Sequence, residues 1–182
     1  MKQSGKINET QRLAASDATV ADAYLAEMRM FAAGVCLITA RRNGEPGGMI
    51  ATAVTSVSAE PPTLLVCVNR NASMFGIIQE TGHFCVNVLT KEAVALVGTF
   101  SSAARREERF QSGEWMTAAN GSPVCAEALV SFECRLEKMV DWHTHAIFLG
   151  EVTSVSHPRA NAAPLLYMDR RFHHLNELTT TG

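Results

Sequence analysis

Apolar and polar positions alternate most cleanly between Leu129 and Val140. Phe132, Cys134 and Leu136 would share one side of an extended chain, with Ser131, Glu133, Arg135 and Glu137 on the other. Period-two patterning of this kind predicts a half-buried antiparallel strand. Shorter apolar, β-branched runs predict further strands at Val35–Thr39, Met49–Ser58, Thr63–Asn69, His83–Leu89, Ala146–Ser156 and Leu165–Asp169. Helical spacing is weaker. Ala23, Tyr24, Met28 and Phe31 recur near a 3.6-residue period, so a helix capped by Asp17 or Thr19 is expected to run to about Phe31 and end at Gly34. A second helix is expected over Met74–Glu80, started by Asn71 or Ser73 and closed by Gly82, and a third from Thr90 through about Phe100.

The intervals between these runs punctuate the chain. Arg41–Gly48 reads as a turn rich in Gly, Asn and Pro, and Pro61-Pro62 cannot sit inside a central strand. Ser101–Asn120 reads as a polar surface loop with one helical turn around Glu107–Phe110. Strands follow one another without regular helical crossovers. That argues against a doubly wound parallel sheet and for an antiparallel barrel with peripheral helices. Residues 1–18 show no period and are expected to form a mobile arm, with 19–178 as a single domain.

Composition narrows the function classes. A net charge of −2 gives no global attraction to nucleic acid or an anionic membrane. No apolar stretch is long enough to span a bilayer, and the polar start lacks the apolar core of a signal peptide, so a cytoplasmic protein is expected. The five cysteines form no C-x-x-C pair and read as small buried hydrophobes in a reducing compartment. No G-x-G-x-x-G, Walker A or G-x-S-x-G motif occurs. His143 and His145, two apart, would share a strand face. Without a carboxylate or cysteine at ligand spacing nearby, no metal site is expected.

Three features carry candidate chemistry, each with a bland alternative. Thr52, Thr55, Ser56 and Ser58 stand among small residues, which would let a planar ligand approach the backbone; they also suit an ordinary Thr-rich strand. Asn69–Ser73 lies at a strand-to-helix junction, where free N–H groups suit a phosphate or where the side chains simply cap the helix. Arg105, Arg106 and Arg109 would clamp a phosphate or form a solvated turn.

Taken in order, the segments resemble the flavin reductase-like family, which includes the small reductase components of two-component flavin-dependent monooxygenases such as 4-hydroxyphenylacetate monooxygenase. The resemblance runs from YLAEMRMFAAGV (Tyr24–Val35) through IATAVTSVSAEPP (from Ile50), LVCVNRNAS (Leu65–Ser73) and FCVNVL (Phe84–Leu89). It continues with Glu108-Arg109-Phe110, Gly121-Ser122-Pro123, Thr144-His145, Gly150-Glu151-Val152 and Leu166-Tyr167 with Arg170–His173. It implies a mainly β fold, a split β-barrel with a Greek-key core, assembled as a homodimer. FMN or FAD would lie with its ring against Thr52, Ala53, Val54 and Thr55. Asn69 and Ser73 would contact the flavin tail and phosphate, Asn87 and Phe100 would flank the cofactor, and Arg109 would assist the phosphate. Arg170 to His173, with Arg171 and Phe172 as the candidate contacts, match a C-terminal segment that helps close the site.

The implied activity is NAD(P)H:flavin oxidoreduction, with NADH or NADPH as hydride donor and a partner oxygenase receiving the reduced flavin. His145 matches a position bordering the nicotinamide pocket and is the candidate catalytic side chain. Where the family usually has Gly, this chain has His143 beside a bulky Trp142, a departure that bears on the backbone turn and on donor preference. Two alternatives share the fold: a reductase of another acceptor such as a corrinoid, and a non-catalytic flavin- or haem-binding module.

Overall fold

A computed structural model describes residues 19–176; the expected arm at 1–18 lies outside the described residues. Seven strands form one antiparallel sheet. In chain order they are β2 (Cys36–Arg42), β3 (Glu45–Ala51), β4 (Val54–Ala59), β5 (Pro62–Asn69), β6 (His83–Leu89), β9 (Ala128–Trp142) and β10 (His145–Ser156). Their spatial order is β3-β2-β6-β9-β10-β5-β4. Three short helices flank the sheet: α1 (Val20–Glu27), α2 (Ser73–Thr81) and α3 (Val94–Ser101). Short strands β1 (Ala33–Gly34), β11 (Leu166–Met168) and β12 (Arg171–His173) make a three-stranded sheet, and β7 (Trp115–Thr117) pairs with β8 (Pro123–Cys125).

The strand order explains closure. The outermost strands are β3 and β4, yet only Thr52 and Ala53 separate them in sequence. Three Cα–Cα steps of about 3.8 Å bring the two sheet edges within roughly 11 Å at this corner. The sheet therefore rolls into a barrel split between β3 and β4. Helix α2 packs against β2, β3 and β5, across that split. The expected single strand Met49–Ser58 is thus two strands on opposite sheet edges, because the chain changes edge at Thr52-Ala53. The expected turn at Arg41–Gly48 contracts to Asn43-Gly44, both at positive φ (53° and 85°). Pro46, Gly47 and Gly48 lie in β3, an edge strand, where a proline removes no ladder bond.

Two cores result. Ile38, Val66, Val68, Phe84, Val86 and Phe148 fill the barrel interior with Met74 and Ile78 of α2. Val35, Leu37, Leu96, Val97 and Phe100 form a second cluster under α3. β2 is covered on both faces, which is why Cys36–Ala40 is buried without alternation. Gly48 lets the Phe100 ring approach: a Cβ there would sit 2.6 Å from Phe100 Cε1.

The alternation over Leu129–Val140 holds in hydropathy but not in burial. Ser131 and Glu133, on the side expected to face solvent, are buried with the β7–β8 hairpin above them. Ser131 donates to Asn87 Oδ1 at 2.9 Å, and the Asn120 N–H donates to Glu133 Oε2 at 3.4 Å. The loop expected over Ser101–Asn120 accordingly contains β7.

Asn87 ties three strands together. Fully buried, its Nδ2 donates to the Leu37 carbonyl (3.0 Å) and Thr39 Oγ1 (3.1 Å), while its Oδ1 also accepts from the Cys125 N–H (3.0 Å). Deleting a hub of this kind leaves buried donors and acceptors unpaired. Asn87→Leu is expected to lower unfolding free energy by about 3 kcal/mol in urea titration; a loss below about 1 kcal/mol would contradict this role.

Candidate active site

Side-chain direction follows from register. In β5, Val66 and Val68 point into the barrel, so Leu65, Cys67 and Asn69 face outward. Thr55 lies opposite Leu65 on one side of β5, and Ile147 and His145 lie opposite Cys67 and Asn69 on the other. Directly opposed residues share a face. The outer surface of β4–β5–β10 therefore brings Thr55, Cys67, Asn69 and His145 together.

The crossing at Thr52-Ala53 supplies backbone donors to this surface. The Ala53 carbonyl accepts from the Cys67 N–H at 3.0 Å. Among the described residues, no protein acceptor takes the N–H of Thr52 or of Ala53. Both residues are exposed and line a groove of about 760 Å³ with Val54, Thr55 and Leu65. That volume lies within the usual range for small-molecule sites. Its opposite wall comes from Leu25, Met28 and Phe31 on the N-terminal side, and from Tyr167 and Arg170 of the β11–β12 hairpin. Asp169 fastens the two parts of this wall: its N–H donates to the Arg29 carbonyl at 2.6 Å, and its carboxylate lies 3.5 Å from Arg29 Nε.

Further along β5, Asn69 Oδ1 accepts from the Asn71 N–H at 2.9 Å and the Asn69 carbonyl from the Ala72 N–H at 2.9 Å, a tight turn into α2. The helix N-cap is Ala72, and no side chain caps it. Neither Asn71 nor Ser73 performs the expected capping, so the first α2 amides and the exposed Ser73 hydroxyl stay open to a ligand. Arg70 forms an ion pair with Asp141, and its N–H donates to the Thr144 carbonyl at 3.0 Å. These bonds fasten the β9–β10 hairpin to the junction and set His145 beside Asn69. His145 is exposed, its Nδ1 2.9 Å from Thr144 Oγ1. His143 sits in the hairpin turn at φ 47°, in the left-handed region that glycine favours, so the turn persists despite the side chain. It does not share a strand face with His145.

Other expected site residues lie outside the groove lining. Asn87 spends its polar atoms in the core. Phe100 is buried on the inner face of α3 and packs edge-on to Phe110 at 5.1 Å. Arg109 donates to the carbonyls of Thr99, Phe100 and Ser102, the C-terminal turn of α3, and to that of Gly48 on β3. It clamps the C-terminal turn of α3 to β3. Arg105 pairs with Glu108 at 2.7 Å, so the three arginines do not converge. Arg171 does not line the groove; its neighbour Arg170 does. Phe172 backs the groove through Tyr167, with ring centroids 5.6 Å apart. Arg170 comes from the segment expected to help close the site, whereas Arg29 and Tyr167 were given no role in the sequence reading.

A second cleft of about 720 Å³, near Thr90, Glu127 and Arg159, contains none of the expected site residues.

Residues 28–176 match the flavin reductase-like domain family. The chain belongs to this family. It is 39% identical over 153 residues to the FMN reductase (NADH) RutF of Pseudomonas syringae pv. syringae, covering 84% of this chain and 85% of that one. Among solved structures, it is similar to BorF, the flavin reductase component of a bacterial two-component tryptophan halogenase. The TM-score is 0.79 at 30% identity, over 87% of this chain and 99% of that one. It is also similar to the Streptomyces globisporus NADH:FAD oxidoreductase SgcE6 in complex with NAD and FAD fragments. There the TM-score is 0.76 at 28% identity, over 85% and 91% of the two chains.

The cysteines divide by position on this scaffold. Burial pushes the Cys36 and Cys134 thiols up to about 12, with Glu133 adding to the effect at Cys134, and pushes Cys125 up to about 11. Cys85, also buried, is raised as well. Cys67 alone is partly exposed, on the proposed ligand face. Thiolate is the reactive form, so raised values suppress reaction at neutral pH. Maleimide labelling at pH 8, followed by peptide mapping, is expected to modify Cys67 first and more slowly with FMN present. Equal labelling of the four buried thiols would contradict this assignment.

Proposed function

We propose that the chain reduces FMN or FAD with NADH and passes the reduced flavin to a separate oxygenase. The observation that carries this reading is the pair of unpartnered amides at Thr52 and Ala53. They lie in the groove wall and continue along β5 to the uncapped start of α2. The residues fit a flavin: small side chains admit a flat ring to the backbone, and a helix N-terminus suits its phosphate. The relatives named as NADH-dependent FMN reductases and as reductase components of two-component systems support the same activity and client class.

Bound flavin supplies the redox chemistry by accepting a hydride from the reduced nicotinamide. The protein's own part is positional and electrostatic. The Thr52 and Ala53 N–H groups would hold the ring and stabilise the negative charge that its reduction brings. Asn69 and Ser73 would hold the tail. His145, fixed by Thr144 and by the Arg70–Asp141 pair, borders and orients the nicotinamide; no proton abstraction from substrate is required of it.

A homodimer completes the reading. α1 has no buried residue, and Leu25 and Phe31 are 70% and 74% exposed in the isolated chain, an apolar wall that a second copy would cover. Among the described residues, no helix is long and apolar enough to cross a membrane. Five unpaired cysteines support a cytoplasmic setting.

Mixing the purified chain with NADH and FMN in air should give continuous loss of NADH absorbance. A single turnover or none would reject catalysis, and faster reduction of a cobalamin than of flavin would favour a corrinoid acceptor. His145→Ala is expected to slow flavin reduction about tenfold in stopped flow with flavin affinity retained, since 1.4 kcal/mol of barrier is a factor of ten. Ser73→Ala should raise the FMN dissociation constant roughly tenfold in fluorescence titration, for loss of one hydroxyl bond to a charged phosphate. Unchanged values in these two measurements would remove each residue from its assigned place.

A further inference from the structure

The groove beside Thr52 and Ala53 holds more positive charge than one flavin phosphate at α2 accounts for. Its lining includes two arginines, Arg29 and Arg170, and no carboxylate, in a chain whose net charge is −2. Arg29 is neutralised by Asp169 at 3.5 Å. Arg170 has no acidic partner within 4.0 Å among the described residues. It is exposed and stands at the tip of the β11–β12 hairpin.

The tip is conformationally costly. Asp169 and Arg170 form a two-residue turn with φ of 48° and 60°. Turns of this form favour Asn-Gly, because side chains with a Cβ disfavour the left-handed region. A long cation held there against local preference points to a task at the site.

Position separates Arg170 from the phosphate subsite at α2. Leu65 lines the groove, and Asn69 lies four residues further along β5, about 13 Å away at 3.3 Å per residue. A flavin whose phosphate rests at Ser73 and whose ring rests at Thr52 leaves Arg170 beyond the ring. One anion is therefore placed at each end of the site. Tyr167, on the same hairpin, lines the groove with Arg170 and is backed by Phe172.

We infer that Arg170 anchors the pyrophosphate of a dinucleotide lying along this groove, an inference that rests on the proposed flavin reductase activity. The pyrophosphate belongs either to NADH or to the adenylate half of FAD. The guanidinium is suited to it, presenting several N–H donors to adjacent phosphate oxygens.

The test uses the full chain and two substitutions. Arg170→Gly removes the cation and relaxes the turn, so loss of fold is not the expected failure; Arg170→Lys keeps the charge. With FMN as acceptor, Arg170→Gly should raise the NADH KM roughly tenfold while kcat at saturating NADH stays within about twofold, and Arg170→Lys should recover most of the difference. The wild-type KM should also rise with salt more steeply than that of Arg170→Gly. If instead FAD affinity falls and FMN affinity and NADH KM hold, the pyrophosphate is that of FAD and the anchor stands. Unchanged NADH KM and unchanged FAD affinity in Arg170→Gly would overturn the inference. A wild-type chain that oxidises no NADH with FMN or FAD would instead sink the functional reading beneath it.

Discussion

The crossing of two residues, Thr52 and Ala53, from one edge of the seven-stranded sheet to the other is the constraint on which the rest depends. Strands β3 and β4 are last in the sheet at opposite ends, so so short a link forces the sheet to curl until its edges nearly meet. The same link cannot serve both ladders. Ala53 keeps a bond to β5 through its carbonyl, but the N–H groups of Thr52 and Ala53 are left without an acceptor in the described chain. An unpaired backbone donor is tolerable only where water or a ligand can reach it. Barrel closure and a pair of open backbone donors in the groove are two consequences of one backbone path.

What the sequence made legible follows from how local each signal was. His83–Leu89 reads as a strand and is one with the same ends, because a continuous apolar run bounded by Gly82 leaves little choice. Thr19 was readable as a cap and forms a capping box with Asp22. The split of Met49–Ser58 was not readable. Nothing in its composition marks residue 52 as a change of sheet edge; that is decided by which strands pair. Ser131 and Glu133 were misplaced for a related reason. Alternation identifies two faces but cannot tell that a distant hairpin, β7–β8, covers the polar one.

The site residues sort the same way. Those at the strand-to-helix junction and the crossing were singled out because their chemistry is written in adjacent positions, and the fold sets them along one outer surface of β4–β5–β10. Asn87, a polar residue within an apolar run, and Arg109, one of three clustered arginines, are also conspicuous in sequence, but such side chains have two explanations. Here both serve the fold, one as a buried hub and one as a clamp on the last turn of α3. Only the partners of each polar atom distinguish the cases. The β11–β12 part of the groove wall was readable only through the resemblance, and the part from Leu25, Met28, Arg29 and Phe31 was not read, because these residues are far from Thr52 in sequence and individually unremarkable.

The architecture separates stability from chemistry in space. Barrel interior, Asn87 network and α3 clamp lie inward or on the β2–β6–β9 side, while the open amides, His145 and Arg170 lie outward on the β4–β5–β10 side and its flank. Positive φ at non-glycine residues occurs on both sides, at Asn43 and Phe110 on one and at His143, Asp169 and Arg170 on the other. The outer side differs in leaving the Thr52 and Ala53 amides open, and an open donor of this kind is tolerable where another molecule completes it. A flat, anionic, partly apolar ligand would do so with one set of contacts: ring edge to amides, apolar face to Leu65 and Tyr167, negative groups to the two ends. The small wall at Ala32–Gly34 and the exposed α1 border the same groove and are the part of it that such a ligand would leave uncovered.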